Sequence, residues 1–194
     1  MKKVIISLLL IAAAFTAVAQ GNKYGIKSAM ITLESSAEMG GMKLMTNKVI
    51  VYFDDYGQKE CRETFDGDKL KEAFFSDGKN LYLVISAEKA AYDRGTAYRG
   101  TEYRFDWNEI SQKDKDAHKA KKLANTTVAG KDCESFQLDT DYGTAVYAGW
   151  KNIALLTSVK NKSMTSTVKA KKIEENVAVP SEKFKVPAGY AVKK

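Results

Sequence analysis

A single histidine, His118, is all the imidazole in this chain of 194 residues, and it stands between Ala117 and Lys119 in a charged stretch. A Ser–His or Cys–His dyad would have to be built on it, yet no G-x-S-x-G elbow or similar nucleophile turn occurs. Zinc sites need several His, Cys or acidic ligands at close spacing, which one His and two distant Cys do not supply. No glycine-rich phosphate loop is present either. Arginine is nearly as scarce: Arg62, Arg94, Arg99 and Arg104 are the whole supply in a chain of net charge +7. Nucleic-acid surfaces favour arginine forks and clustered basic residues. Here lysine alternates with acids along the chain, so nucleic acid is not an expected partner, while weak attraction to anionic lipid head groups stays open. Past the N-terminus no apolar run approaches the roughly 20 residues that span hydrocarbon.

What the sequence does have begins at its front. Met1-Lys2-Lys3 is a short positive region, Val4–Phe15 is apolar apart from Ser7, and Ala17-Val18-Ala19 supplies small residues at −3 and −1. That order predicts a secretory signal peptide over residues 1–19, cleaved before Gln20. No Cys sits at the cleavage point, so the mature chain is expected free of a lipid anchor, without a transmembrane segment, in the periplasm or otherwise exported. Residues 20–194 then form one domain of ordinary size, with no repeat or linker. Cys61 and Cys133 both fall in this part. An oxidising compartment permits a bridge between them, which would stabilise the fold by roughly 4 kcal/mol on the chain-entropy model. Two separate buried thiols are the alternative.

The exported part reads as strands. Tyr24–Ser35 alternates, Met39-Gly40-Gly41-Met42 is a turn, and Leu44–Phe53 returns. The end of that return, Val49-Ile50-Val51-Tyr52-Phe53, is apolar on both faces, which implies cover on both sides or a cavity on one. Asp54-Asp55-Tyr56-Gly57 turns into Gln58–Phe65. Lys69–Ser76 suggests a short helix, with Leu70, Ala73 and Phe74 on one face. Asn80–Ser86 is a buried strand, and 88–104 reads as short strands or loop. A long helix is predicted from Asp106, an N-cap with Glu109 three residues on, carrying Trp107, Ile110, Ala117, Ala120 and Leu123 at near-helical spacing. Strands resume at Thr126–Val128, Cys133–Asp139, Thr144–Trp150, Ile153–Val159 and Thr165–Ile173, followed by an extended tail with Pro180 and Pro187. The fold class is mainly β with some α: nine to eleven strands in a strongly curved antiparallel sheet, a half-barrel closed by one long helix and a short one.

Met39, Met42 and Met45 form M-x-x-M-x-x-M, with Met30 across the hairpin. Thioethers are soft ligands suited to Cu(I), but methionine is also a flexible filler of apolar cavities. Residues three apart in a strand point to opposite faces, so cavity lining is the favoured reading. Candidate lining residues are Met30, Met42, Met45, Val49, Val51, Phe53, Leu81, Leu83, Tyr147 and Trp150. No catalytic residue, resident metal or cofactor is assigned.

Val128-Ala129-Gly130-Lys131-Asp132-Cys133-Glu134-Ser135-Phe136, Trp150-Lys151-Asn152-Ile153-Ala154-Leu155, and Val179-Pro180 with Phe184-Lys185-Val186-Pro187-Ala188-Gly189-Tyr190 resemble the C-terminal half of the LolA-like superfamily. Tyr52-Phe53-Asp54-Asp55-Tyr56-Gly57 resembles the first-half hairpins of its uncharacterised exported members. The resemblance implies a half-barrel around an apolar cavity that holds acyl chains in members of known role. No residue here matches the carrier family's functional arginine, so it speaks to fold more than to lipoprotein transport. The leading expectation is a non-catalytic periplasmic protein holding an acyl chain or lipid. The alternative is an envelope interaction or structural module with a protein partner and no small ligand. Methionine-based copper binding or an unrecognised enzyme comes third.

Overall fold

The computed structural model describes residues 22–96 and 105–194. The expected signal peptide, residues 1–19, and its expected cleavage point lie outside them. Twelve strands form one sheet: β1 (Ala29–Met39), β2 (Met42–Asp54), β3 (Lys59–Asp66), β4 (Lys69–Ser76), β5 (Asn80–Ile85), β6 (Ala90–Thr96), β7 (Lys121–Val128), β8 (Lys131–Thr140), β9 (Gly143–Trp150), β10 (Ile153–Lys160), β11 (Met164–Glu175) and β12 (Ala191–Lys193). Their order is β12-β6-β5-β4-β3-β2-β1-β11-β10-β9-β8-β7. Sequence neighbours joined by short turns pair antiparallel, giving one meander on each side of β1. The long connections are β6 to β7 and the C-terminal tail, whose β12 pairs parallel with β6.

The sheet curls. Val49, Val51 and Phe53 of β2 share one core cluster with Val128 of β7, Cys133 of β8 and Ala148 of β9. In a flat sheet β2 and β8, five places apart, would be about 24 Å from each other at the usual strand spacing. β7 also approaches β11, four places away in the hydrogen-bonded order, and Lys131 pairs with Glu175 across that gap. Bulges at Thr32/Leu33 between β1 and β11 and at Ala154/Leu156 between β10 and β9 supply local bends.

Two helical expectations fail. Residues 69–76 form β4, in which Ala73 and Phe75 are buried. Pairing with both β3 and β5 overrides the weak helical spacing of Leu70, Ala73 and Phe74. The long helix shrinks to a 3-10 turn, Trp107–Glu109, and α1 (Gln112–Ala117), six residues capped by Ser111. Asp106 caps as expected, accepting from the Asn108 amide, but it caps only the 3-10 turn. Lys119 takes a left-handed conformation (φ 47°), and Lys121 and Lys122, inside the expected helix, begin β7, paired with Gln137 and Phe136. No long helix closes the half-barrel among the described residues.

The core has three parts. The main cluster contains Tyr24, Ile31, Leu33, Val51, Phe53, Cys133, Ile153 and Leu155. On the opposite face of β2, Tyr52 joins Cys61, Ala73, Phe75, Val84 and Ala91 in a second cluster, covered by the C-terminal segment through Val179, Phe184, Val186 and Tyr190. A third gathers Phe136, Leu138 and Tyr147 beneath Phe105, Trp107 and Ile110. Phe105 presses so closely on Gly149 that a Cβ there would lie 2.0 Å from its ring, so that cover requires glycine.

Of the two readings left open for the cysteines, the structure has the separate thiols: Cys61 and Cys133 are free and buried. Cys61 pairs with Tyr52, whose side chain points away from Phe53, whereas Cys133 packs in the cluster that holds Phe53. The two thiols thus belong to clusters on opposite faces of the sheet.

Candidate functional site

The ten lining candidates do not surround one hollow. Val49, Val51 and Phe53 lie in the main cluster, where the Phe53 and Tyr24 rings sit 4.4 Å apart. Met30 packs against the second cluster. Leu81 and Leu83 of β5 are half-buried, opposite Ser76 and Phe74. Tyr147 packs on Phe136, and burial raises its pKa. Trp150 lies under two ammonium groups, Lys131 at 4.6 Å and Lys151 at 4.4 Å. Met42 is exposed and Met45 half-buried at the β1–β2 hairpin end.

Where a cavity was expected, side chains fill the space. Tyr24, Phe53, Ile153 and Leu155 are each 0% exposed. Tyr24 enters from the segment before β1 and donates its hydroxyl to Glu60 (2.7 Å), which also pairs with Lys23 (2.6 Å). The Gly25 amide bonds the Lys151 carbonyl (2.9 Å), tying that segment across the lower end of the sheet. These long-range bonds, and the residues before Ala29 that make them, carry no signal in strand periodicity.

Two open hollows stand out among the described residues. The larger, about 820 Å³, lies at the upper ends of β8–β11 and is walled by Gln137, Thr144, Val146, Ser158, Lys160 and Thr165. Direct cross-strand pairing puts Gln137, Val146 and Ser158 in one row, and the Ser158 and Thr167 hydroxyls bond each other at 3.1 Å. Its walls offer amide, hydroxyl, carboxylate and ammonium groups, with Asp139 and Lys160 both present, so a polypeptide surface would find hydrogen-bonding partners there. The smaller, about 410 Å³, lies between β3–β5 and the C-terminal segment, with Phe75, Tyr82, Phe184 and Val186 as apolar wall and Lys59, Asp77 and Lys185 at the rim. Phe75 and Tyr82 stack at 5.0 Å.

Beside that crevice lies a largely desolvated charge pair, Glu63 and Lys183 at 2.6 Å, with side chains 11% and 28% exposed. The Lys183 ammonium also sits 4.5 Å from the Tyr52 ring centre. Burial alone would lower the Lys183 pKa. The hydrogen bond and charge of Glu63, with help from Tyr52, carry it above its ordinary value. Burial, reinforced by the Glu63 charge, raises Tyr52 and pushes the Cys61 thiol up to about 12. Burial likewise raises Cys133. Neither thiol has the electropositive setting of a reactive cysteine. His118 is exposed, with Nδ1 2.9 Å from the Asp139 carbonyl oxygen. No cluster of three or more His, Cys, Asp or Glu occurs among the described residues.

No protein-family model matches the chain, and no curated protein does either. Solved structures do. An uncharacterized conserved protein from Thermus thermophilus superposes with a TM-score of 0.57 at 6% identity, over 86% of this chain and 90% of that one. MucB, in the MucA/MucB complex of Pseudomonas aeruginosa, gives 0.55 at 11% identity over 87% of this chain and 59% of that one, so this chain spans about three fifths of MucB. A LolA superfamily protein from Nitrosomonas europaea is also matched, with a TM-score of 0.39 at 10% identity, over 82% of this chain and 90% of that one. The fold is therefore one shared with the Thermus protein and with MucB. No helix of the described residues is long and apolar enough to cross a membrane.

Proposed function

We propose that this chain is an exported, non-catalytic binding module of the cell envelope that engages a protein partner on its surface, rather than a carrier that encloses an acyl chain. One observation carries the reading: the concave apolar interior is packed by Tyr24, Phe53, Ile153 and Leu155, while the larger of the two hollows described is open and walled mainly by polar residues. A partner's polypeptide would run along the groove over Gln137, Val146 and Ser158, meeting hydroxyl and amide groups there and the ammonium of Lys160 at its end. The shared fold of MucB, solved in complex with MucA, supports a protein partner. The N-terminal pattern of residues 1–19 supports export. The absence of a nucleophile motif and the carbonyl-bound His118 support a non-enzymatic role.

A photo-crosslinking residue placed at Val146, with a second placed at the exposed Lys71 of β4 as control, tests this in intact cells. We expect one protein to be captured stoichiometrically from position 146 and not from position 71. Equal capture from both positions, or none from 146, would refute the groove.

A second reading is favoured by the crevice beside the C-terminal segment. Its aromatic wall and the rim lysines Lys59 and Lys185 match an apolar chain with an anionic head. Organic extraction of gently purified protein would then yield a stoichiometric lipid, displaced when Phe75 is changed to Asp.

A further inference from the structure

The hairpin between β1 and β2 ends in a concentration of sulfur that the linear spacing only half reveals. Met39 pairs directly with Met42 on one side and with Met164 on the other, so three thioethers stand in one row across β2, β1 and β11. One step down the same face Ala37 pairs with Met45 and with Ser166. Four of the chain's six methionines therefore surround one small residue. Met45 reaches this face because Leu44 is the extra residue of a bulge between Ala37 and Glu38. Without that bulge Met42 and Met45 would point to opposite sides. Ala37 is only 1% exposed although Met39 and Met42 are 43% and 70% exposed, so the methionine side chains roof it. The buried Ser166 hydroxyl has no hydrogen-bond partner among the described residues.

We propose that this face binds a single Cu(I) ion through the thioethers of Met39, Met42, Met45 and Met164. Directly paired strand residues have Cβ atoms about 5 Å apart, and methionine's three rotatable bonds let neighbouring sulfurs turn onto a common centre. A neutral all-thioether site favours soft Cu(I) over zinc or calcium, which take imidazole, carboxylate or carbonyl donors. The charged neighbours, Glu38 and Lys43, pair with each other in the intervening row and so face away, leaving no carboxylate in the sulfur cluster. Gly40 and Gly41 of the turn have nothing within 4 Å of an added Cβ, so the approach to the row is open. Met42 and Met39 keep 70% and 43% of their surface in solvent, so their thioethers are within reach of an ion from outside. Met30 stands apart, nine residues back on β1 against the second cluster. The site does not depend on what occupies the polar groove.

The test uses the exported protein with ¹³C-methyl-labelled methionines, titrated anaerobically with Cu(I) against a competing Cu(I) chelator, bathocuproine disulfonate. The methyl signals of Met39, Met42, Met45 and Met164 are expected to shift, with Met30 unmoved as the internal control. Ag(I) should reproduce the shifts and Zn(II) should not. Met42→Leu with Met164→Leu conserves volume and leaves the fold intact, and should lose Cu(I) to a chelator concentration that the unaltered chain withstands. Retention equal to wild type, Zn(II) producing the same shifts, or methyl signals that move with phospholipid vesicles and not with Cu(I), would each overturn the proposal.

Discussion

Neighbouring residues of β2 belong to two kinds of interior. Phe53 points into the main cluster, whose contributors sit mostly in hydrogen-bonded strands, so nothing there opens without dismantling the sheet. Tyr52 points into the second cluster, whose outer wall is a tail containing a four-residue 3-10 turn and a three-residue strand. That wall is held by Phe184 and by the Glu63–Lys183 pair. Elements with few ladder bonds are the ones that open locally. One interior is closed by topology and the other by a strap, so the curl of the sheet fixes the fold while the tail governs access to the second apolar face.

The largest expected effect lies in the closed interior. Phe53→Ala should cost about 3–5 kcal/mol in urea unfolding. A much smaller loss would mean that Phe53 borders empty space and that the cavity reading deserves to return. Next is the strap. Glu63→Ala leaves the Lys183 ammonium without its partner and should cost about 1–3 kcal/mol, with the loss concentrated in the tail. Maleimide labelling of Cys61 should then accelerate while Cys133 stays protected. If both thiols accelerate together, the two interiors are not separate units.

Alkaline pH sharpens the same contrast. Lys183 holds its proton more tightly in the fold than in the unfolded chain, so its contribution is complete below about pH 10.5 and lost as pH rises through its higher folded value. Urea midpoints measured upward from pH 9 should fall in that range. The fall should be shallower in Glu63→Gln with Lys183→Met, and an equal slope would remove the pair as its cause. The smallest effect belongs to surface pairs such as Lys122–Glu134, 3.9 Å apart with both side chains more than half exposed. Lys122→Ala should change stability by about 0–1 kcal/mol.

The meander was legible because alternation and turn chemistry agree from Ala29 to Phe65 and again from Cys133 to Ile173, whereas Tyr24 to Ser28, which the alternation placed in the first strand, precedes β1. The helix at residues 106–123 misled because Ala117, Ala120 and Leu123 fit its period, while the competing signal, pairing of Lys121 and Lys122 with β8, is tertiary. Val49–Phe53 was read correctly as apolar on both faces. Cover on both sides, rather than a cavity, depends on the tail and on Tyr24, which pattern alone does not place. Met164 was invisible as a companion of Met39 for the same reason: 125 positions separate them in sequence, and only the β1–β11 register makes them neighbours.

Native mass spectrometry of the chain purified from cells without detergent tests the central claim that the interior is packed by the chain's own side chains. We predict the mass of the bare polypeptide, with no stoichiometric lipid adduct and two unmodified thiols. A uniform adduct of acyl-chain or phospholipid mass that survives purification and leaves on organic extraction would contradict it.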